Sequence, residues 1–239
     1  KPHIIIPRRF TDGYGIKIKN LENMDPSGLL ITVDNGIAAN EAVDAAKEKG
    51  MKVIILDHHE ARILNGEQFL PEADVVIDPH ITEADFEDYC GAGLAYRFMR
   101  EVFAKKRRPA DLNGIMSSMI ALAAVGTIGD SVTMKAENRF LVRRGMEQIE
   151  QRRVSTGLAL LLEEMELSDT LSVEDIAYSL VPAINAFGRL EDEGSRKVAA
   201  LLSYNGRKSD GAKNAAQIVK QMNDERKTYC KELTELAEK

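Results

Sequence analysis

Asp57, His58 and His59 directly follow the apolar run Ile54-Ile55-Leu56. A run of that length is a buried strand, so three polar side chains hang on one strand end. A carboxylate there can accept a hydrogen bond from an imidazole and fix its tautomer. The other ring nitrogen is then free for a metal or a phosphate. A plain strand end followed by a polar loop with two solvated histidines would use the same residues. Asp34 and Asp130 join His58 as candidate metal ligands. Carboxylates with a single imidazole and no thiolate suit Mn²⁺ or Mg²⁺ rather than structural zinc. A carboxylate bridging two such ions holds them about 3.5–4 Å apart, clamping the attacking and leaving oxygens of a phosphodiester. Asp130 follows a strongly apolar helix, where an unpaired carboxylate is costly to bury. Capping the next segment, or facing water, is its other reading.

Arg8, Arg9 and Arg189 are candidates for phosphate recognition, because a guanidinium fork matches phosphate oxygens bidentately. Solvated surface arginines are the alternative. Arg189 closes Asn185-Ala186-Phe187-Gly188-Arg189, expected to be a turn beside a helix. The Lys105 to Arg108 cluster lacks interleaved aromatics for base stacking and is expected to be a solvated inter-helix loop. Gly91 and Gly93 permit close backbone approach to a phosphate or to a sheet. Cys90 beside them is expected to pack rather than attack. His3 and His80 have no evident partners.

The elements that must position these groups begin with strands at His3 to Pro7, Leu29 to Val33, Lys52 to Leu56 and Val75 to Ile77. A helix from about Ala39 to Lys49 links the middle pair, and strand–helix–strand at this spacing is a βαβ unit with parallel strands. Working groups of such sheets gather beyond the carboxyl ends of the strands, which sets Asp34 beside Asp57-His58-His59. The pattern then turns helical: Gly91 to Phe103, Ile115 to Val125, Glu137 to Gln148, Gly157 to Met165, and Val173 to Tyr178 with Ser172 and Asp175 as a capping box. The helix at Ile115 to Val125 is expected to be buried on most sides. From about Lys208 one long helix carries a narrow apolar stripe. The fold class is α/β: a parallel sheet, a helical portion and a long connecting helix.

The chain has 239 residues, with 44% hydrophobic and 29% charged residues, ordinary values for a globular protein. No apolar run is expected to reach the roughly 18–20 residues that span a bilayer. Two cysteines, Cys90 and Cys230, point to a reduced, cytoplasmic setting. A net charge of −6 excludes a uniformly basic nucleic-acid coat but leaves room for a local groove. Both ends read as cut, so a fragment of a longer protein is expected.

Taken together, Asp57-His58-His59 after a strand, with Val33-Asp34-Asn35-Gly36 one βαβ step earlier, resembles the DHH phosphoesterase superfamily. Pro7-Arg8-Arg9-Phe10-Thr11-Asp12-Gly13-Tyr14-Gly15 resembles a signature of its RecJ-type single-strand-specific exonucleases. So do Gly91-Ala92-Gly93-Leu94-Ala95, Gly126-Thr127-Ile128-Gly129-Asp130 and Asn185-Ala186-Phe187-Gly188-Arg189, in that order.

The resemblance implies that Asp34 bridges two divalent ions, Mn²⁺ or Mg²⁺, with His58 and Asp130 completing one of them. Asp57 would support the histidines and His59 would face the scissile phosphate. Arg9, Asn185 and Arg189, with the backbone at Gly91 and Gly93, would hold nucleic-acid phosphates. The implied reaction is 5′→3′ hydrolysis of single-stranded DNA in repair and recombination, alongside a single-strand-binding protein or helicase. Residues 1–205 would be a partial DHH domain, α/β to about 90 and helical beyond. Residues 206–239 would be a helix toward a second domain. An aspartate-rich strand that the family carries upstream is not matched here, so this polypeptide is expected to bind metal weakly and cut slowly. Ala183 stands where related sequences often have arginine. A DHH enzyme for short oligoribonucleotides or cyclic dinucleotides is one alternative. A DHH scaffold without metals is the other.

Overall fold

The computed structural model describes residues 2–81, 84–106, 109–167 and 171–238. Arg107 and Arg108 of the basic cluster fall outside that set. A three-stranded parallel sheet, order β1-β2-β5, forms from β1 (Leu29–Val33), β2 (Lys52–Leu56) and β5 (Val75–Ile77). Val33 pairs with Leu56 and Leu56 with Ile77, so all three strands end at one level. Helix α1 (Asn40–Glu48) makes the crossover from β1 to β2. It buries Ala42, Val43 and Ala46 against Val53, Ile55, Met51 and Leu21. The expected βαβ unit is present.

Three local departures have physical causes. His3 to Pro7 is not a strand: it faces β1 across a groove, and Pro2 and Pro7 offer no N–H for a ladder. Strand β1 is covered on one face only; Thr32 is buried, whereas Leu29, Ile31 and Val33 are exposed. A hairpin of β3 (Arg62–Leu64) and β4 (Glu67–Phe69), closed by Asn65-Gly66 at positive φ, was not expected from sequence.

Helices α2 (Gly91–Lys105), α3 (Leu112–Gly129), α4 (Ala136–Glu150) and α5 (Thr156–Glu164) follow. By length and composition α3 is long and apolar enough to cross a membrane, contrary to expectation. Within the fold it packs on α2 and α4 and buries Ile120, Ala121, Ala124, Val125 and Ile128. Its first turns are half-buried. A short α6 (Val173–Asp175) starts on the expected capping box, Ser172 and Asp175. It runs through a π-helical turn at Ile176–Leu180 into α7 (Val181–Leu190). Asn185 to Arg189 is therefore helical rather than a turn. Gly188 is tolerated inside the helix because a Cβ there would lie 2.4 Å from Ser195 Oγ on α8 (Gly194–Leu202), which packs against it. The long helix is α9 (Asp210–Ala237), capped by Ser209; its first half is packed and Tyr229, Leu233 and Leu236 are exposed. A large apolar cluster joins α3 to α9 around Leu158, Leu161, Ile176 and Leu180.

Candidate metal and phosphate site

Each sheet strand hands over to an aspartate: Asp34 after β1, Asp57 after β2 and Asp78 after β5. The ladder continues one residue past the strands, with Asp34 N–H donating to Leu56 O at 2.9 Å and Asp57 N–H to Ile77 O at 3.1 Å. The carboxylates are thus set in a row beyond the carboxyl edge. Asp34 adopts a φ of 61°, a left-handed conformation that aspartate accepts more readily than most residues. Gly36 completes that turn, since a Cβ there would come within 2.5 Å of Thr32 Oγ1.

Asp57 is the buried hub, 1% exposed. Its Oδ1 accepts from His58 N–H at 2.9 Å and from His59 Nδ1 at 2.7 Å. Its Oδ2 accepts from Ile37 N–H at 2.9 Å. Both oxygens of the buried carboxylate are thus supplied with donors. The carboxylate commits His59 Nδ1 as the donor and leaves Nε2 as the open nitrogen. The same bond pushes the His59 pKa up.

His58 points elsewhere. Its Nε2 lies 2.9 Å from Asp34 Oδ1 and 3.7 Å from Asp130 Oδ2. Asp130 is the C-cap of α3, which extends through Gly126 to Gly129 before delivering it. Ligand atoms of Asp34, His58 and His59 all fall within 4.8 Å of one another. Burial drives the Asp34 carboxyl pKa upward, with His58 opposing. An electron-poor centre at this spot would relieve that cost. The donor set fits a hard-to-borderline divalent ion, with Asp34, His58 and Asp130 converging and His59 beside them.

Gly91, expected to allow close backbone approach to a phosphate or to the sheet, makes room for Asp34 at the end of β1: a Cβ there would sit 2.4 Å from Asp34 Oδ1. The carboxylate consequently lies at the α2 N-terminus, where the helix dipole favours negative charge. Gly93 sits in the packed first turn of α2. Its N–H is taken by Cys90 Sγ at 3.3 Å, and it faces Leu141 and Tyr89. Cys90 is the N-cap of α2 and packs, as expected. Ala183 is fully buried in the helical cluster, so that position does not reach a phosphate here.

A cleft of about 620 Å³ runs from Asp34, Asp57 and His59 to Tyr14, Lys17 and Arg62. Arg9 bonds the Tyr14 hydroxyl, and its guanidinium lies 4.8 Å over the Tyr14 ring. Asn185 and Arg189 are exposed and one turn apart on α7. Sequence reasoning missed Lys17, Arg62, Asp78 and Asp192. Asp78 carried a visible signal, a third aspartate on a strand end; it is buried, and burial raises its pKa.

Residues 2–127 match the DHH family, N-terminal domain. The single-stranded-DNA-specific exonuclease RecJ of Escherichia coli is 34% identical over 212 residues, 84% of this chain and 36% of that protein. RecJ of Bacillus subtilis is 31% identical over 240 residues, 97% of this chain and 28% of that protein. The chain thus spans roughly a third of the length of these relatives. A crystal structure of exonuclease RecJ bound to manganese superposes with a TM-score of 0.79 at 28% identity, over 95% of this chain and 54% of that one. RecJ from Thermus thermophilus with Mn²⁺ gives 0.68 at 28% identity, over 84% and 28%. With more than half its residues matched to the family and its strand-end acids in place, the chain belongs to the DHH family.

Proposed function

We propose that this chain is the metal-binding part of a single-strand-specific DNA exonuclease of RecJ type, cutting phosphodiester bonds from the 5′ end. The observation that carries the reading is the convergence of His58 Nε2 with Asp34 and Asp130, contributed by two strand ends and one helix end. Asp34, His58 and Asp130 would hold a divalent ion, with Asp34 shared by a second. Such ions supply Lewis-acid polarisation of the phosphodiester and a nucleophilic water at neutral pH. His59 Nε2, fixed outward by Asp57, faces the phosphate and, when the ring is protonated, can donate to it or to the leaving oxygen. Arg9, Asn185 and Arg189 hold neighbouring phosphates. Residues 1–205 act as the catalytic unit and 206–239 as a connecting helix. The free thiols of Cys90 and Cys230 fit a cytoplasmic setting, and the substrate fits repair and recombination, with a single-strand-binding protein or helicase as partner.

The test pairs Mn²⁺ binding with product analysis. In the whole protein that carries this chain, the wild type is expected to retain Mn²⁺ and the Asp34→Ala variant to lose it. Long single-stranded DNA is expected to be digested to mononucleotides in preference to duplex DNA. Absence of Mn²⁺ binding overturns the proposal in favour of a scaffold. Turnover confined to short oligoribonucleotides or cyclic dinucleotides moves the chain to another DHH activity.

A further inference from the structure

Three donors from the Pro7 to Gly15 loop converge on one carboxylate in the turn between α7 and α8. Phe10 N–H donates to Asp192 Oδ1 at 2.8 Å and Thr11 N–H to the same oxygen at 3.2 Å. The Thr11 hydroxyl donates to Oδ2. Arg8 Nε adds a 4.0 Å ion pair with Glu193. Among the described residues, the loop's hydrogen bonds to the helical half all go to Asp192.

The loop itself is tied into one piece. Asp12 accepts from Arg8 N–H at 2.8 Å and Arg8 Nε at 3.2 Å, and pairs with Lys19 at 2.6 Å. At its tip Arg9 is stacked on Tyr14, whose ring lines the cleft with Asp57 and His59. A unit braced this way moves as a whole, so its anchor sets where Arg9 stands. That anchor lies three residues beyond Arg189.

We infer that Asp192 is a positioning residue, fixing Arg9 and Tyr14 relative to Arg189 so that the two arginines grip phosphates of one strand. This rests on the phosphate roles proposed above. Its direction is opposite to simple electrostatics. Removing a carboxylate beside a polyanion site tightens binding on charge grounds alone, whereas releasing the clamp weakens it.

The experiment is anisotropy titration of a 5′-phosphorylated, 3′-labelled single-stranded oligonucleotide in EDTA at fixed salt. Arg9→Ala is expected to weaken binding by about tenfold, the worth of a charged hydrogen bond to phosphate. Asp192→Ala should weaken it by a similar factor, and the Arg9→Ala/Asp192→Ala double variant no further. Asp192→Asn keeps an acceptor for Phe10 and Thr11 and is expected to bind at least as well as wild type. Thr11→Val, which loosens the clamp without touching α7, should show a smaller loss in the same direction. If Arg9→Ala weakens binding while Asp192→Ala does not, or if their effects add, the inference is wrong and the phosphate reading stands. If Arg9→Ala binds like wild type, the phosphate role of Arg9 itself has failed.

Discussion

At the residue scale, Asp57 bears the greatest responsibility for the site without pointing into it. Four donor contacts close on a carboxylate that is 1% exposed: Ile37 N–H, His58 N–H, His59 N–H and His59 Nδ1. Asp57→Asn replaces one acceptor oxygen by a donor, which leaves either Ile37 N–H or the His59 ring facing an NH₂ group. The expected cost is about 1–3 kcal/mol of folding stability, the penalty for an unsatisfied buried donor. With His59 no longer held, strand cleavage should fall by about a hundredfold or more, the usual worth of a placed acid–base group. Denaturant melts and single-turnover digestion check the two together; unchanged cleavage with reduced stability would make Asp57 purely structural. The triplet was legible because type and position coincide: polar residues immediately after an apolar strand leave little freedom for their side chains. What the residues could not say is which histidine turns which way. His59 is turned by its neighbour Asp57, whereas His58 is turned toward Asp34 and Asp130, neither of which is a neighbour in sequence.

At the element scale, the meeting of β1 with α2 is the tightest constraint on the proposed ligand Asp34. Gly91 lies so close to Asp34 that an added Cβ would fall 2.5 Å from its Cβ and 2.6 Å from its Cγ. Gly91→Ala must therefore displace the carboxylate or the helix end. Far-ultraviolet circular dichroism is expected to stay at the wild-type level while Mn²⁺ affinity drops by at least the effect of losing one ligand; an intact affinity would show that the helix yields instead. The turn after α7 sets a second constraint, and it titrates. Thr11, through its hydroxyl, and then Phe10 and Thr11 N–H hold the Asp192 pKa below its ordinary value of 3.8. Arg8 adds to this and Glu193 stands nearby. A lowered carboxylate pKa stabilises the clamp above the unfolded value, and that contribution is lost as pH falls through the folded one. The Phe10 and Thr11 amide resonances should be flat from pH 7 to about pH 4.5 and shift only below 3.8; an inflection at or above 3.8 would show no clamp. Nothing in the sequence announced this contact, because 182 residues separate Phe10 from Asp192. The α8 helix and the β3–β4 hairpin were missed for a different reason. One follows a glycine that marks a close crossing rather than a break, and the other has strands of three exposed residues each.

At the scale of the whole molecule, the sequence spoke clearly for two layers and weakly for how they are joined. Strand patterns and helix patterns are local, whereas the join consists of α2 against β1 and β2, the Asp192 clamp, and the approach of Asp130 to His58. The two layers differ in their apolar support. The sheet rests on the cluster around Leu21, Val43, Val53 and Ile55, with one edge strand half uncovered. The helices share the much larger cluster around Leu158, Leu161, Ile176 and Leu180. Local opening follows local burial, so in EDTA the amides of β1, β2 and β5 should exchange through a lower-energy opening than those of α3 and α5. A divalent ion held as proposed would change this, because Asp34 and His58 belong to the sheet layer and Asp130 to the end of α3. Any ligand that binds only the joined state adds RT ln(1 + [L]/Kd), about 2.7 kcal/mol at a hundredfold excess over Kd. Mn²⁺ is therefore expected to slow strand exchange by up to that amount and to narrow the gap between layers. In Asp130→Ala the ion would be left with sheet ligands alone, so separation of the layers should no longer release it, and protection of the join should be lost. Equal exchange energies in both layers without metal would sink the two-layer picture. Protection by Mn²⁺ that survives intact in Asp130→Ala would show that the ion belongs to the sheet and does not bind the halves together.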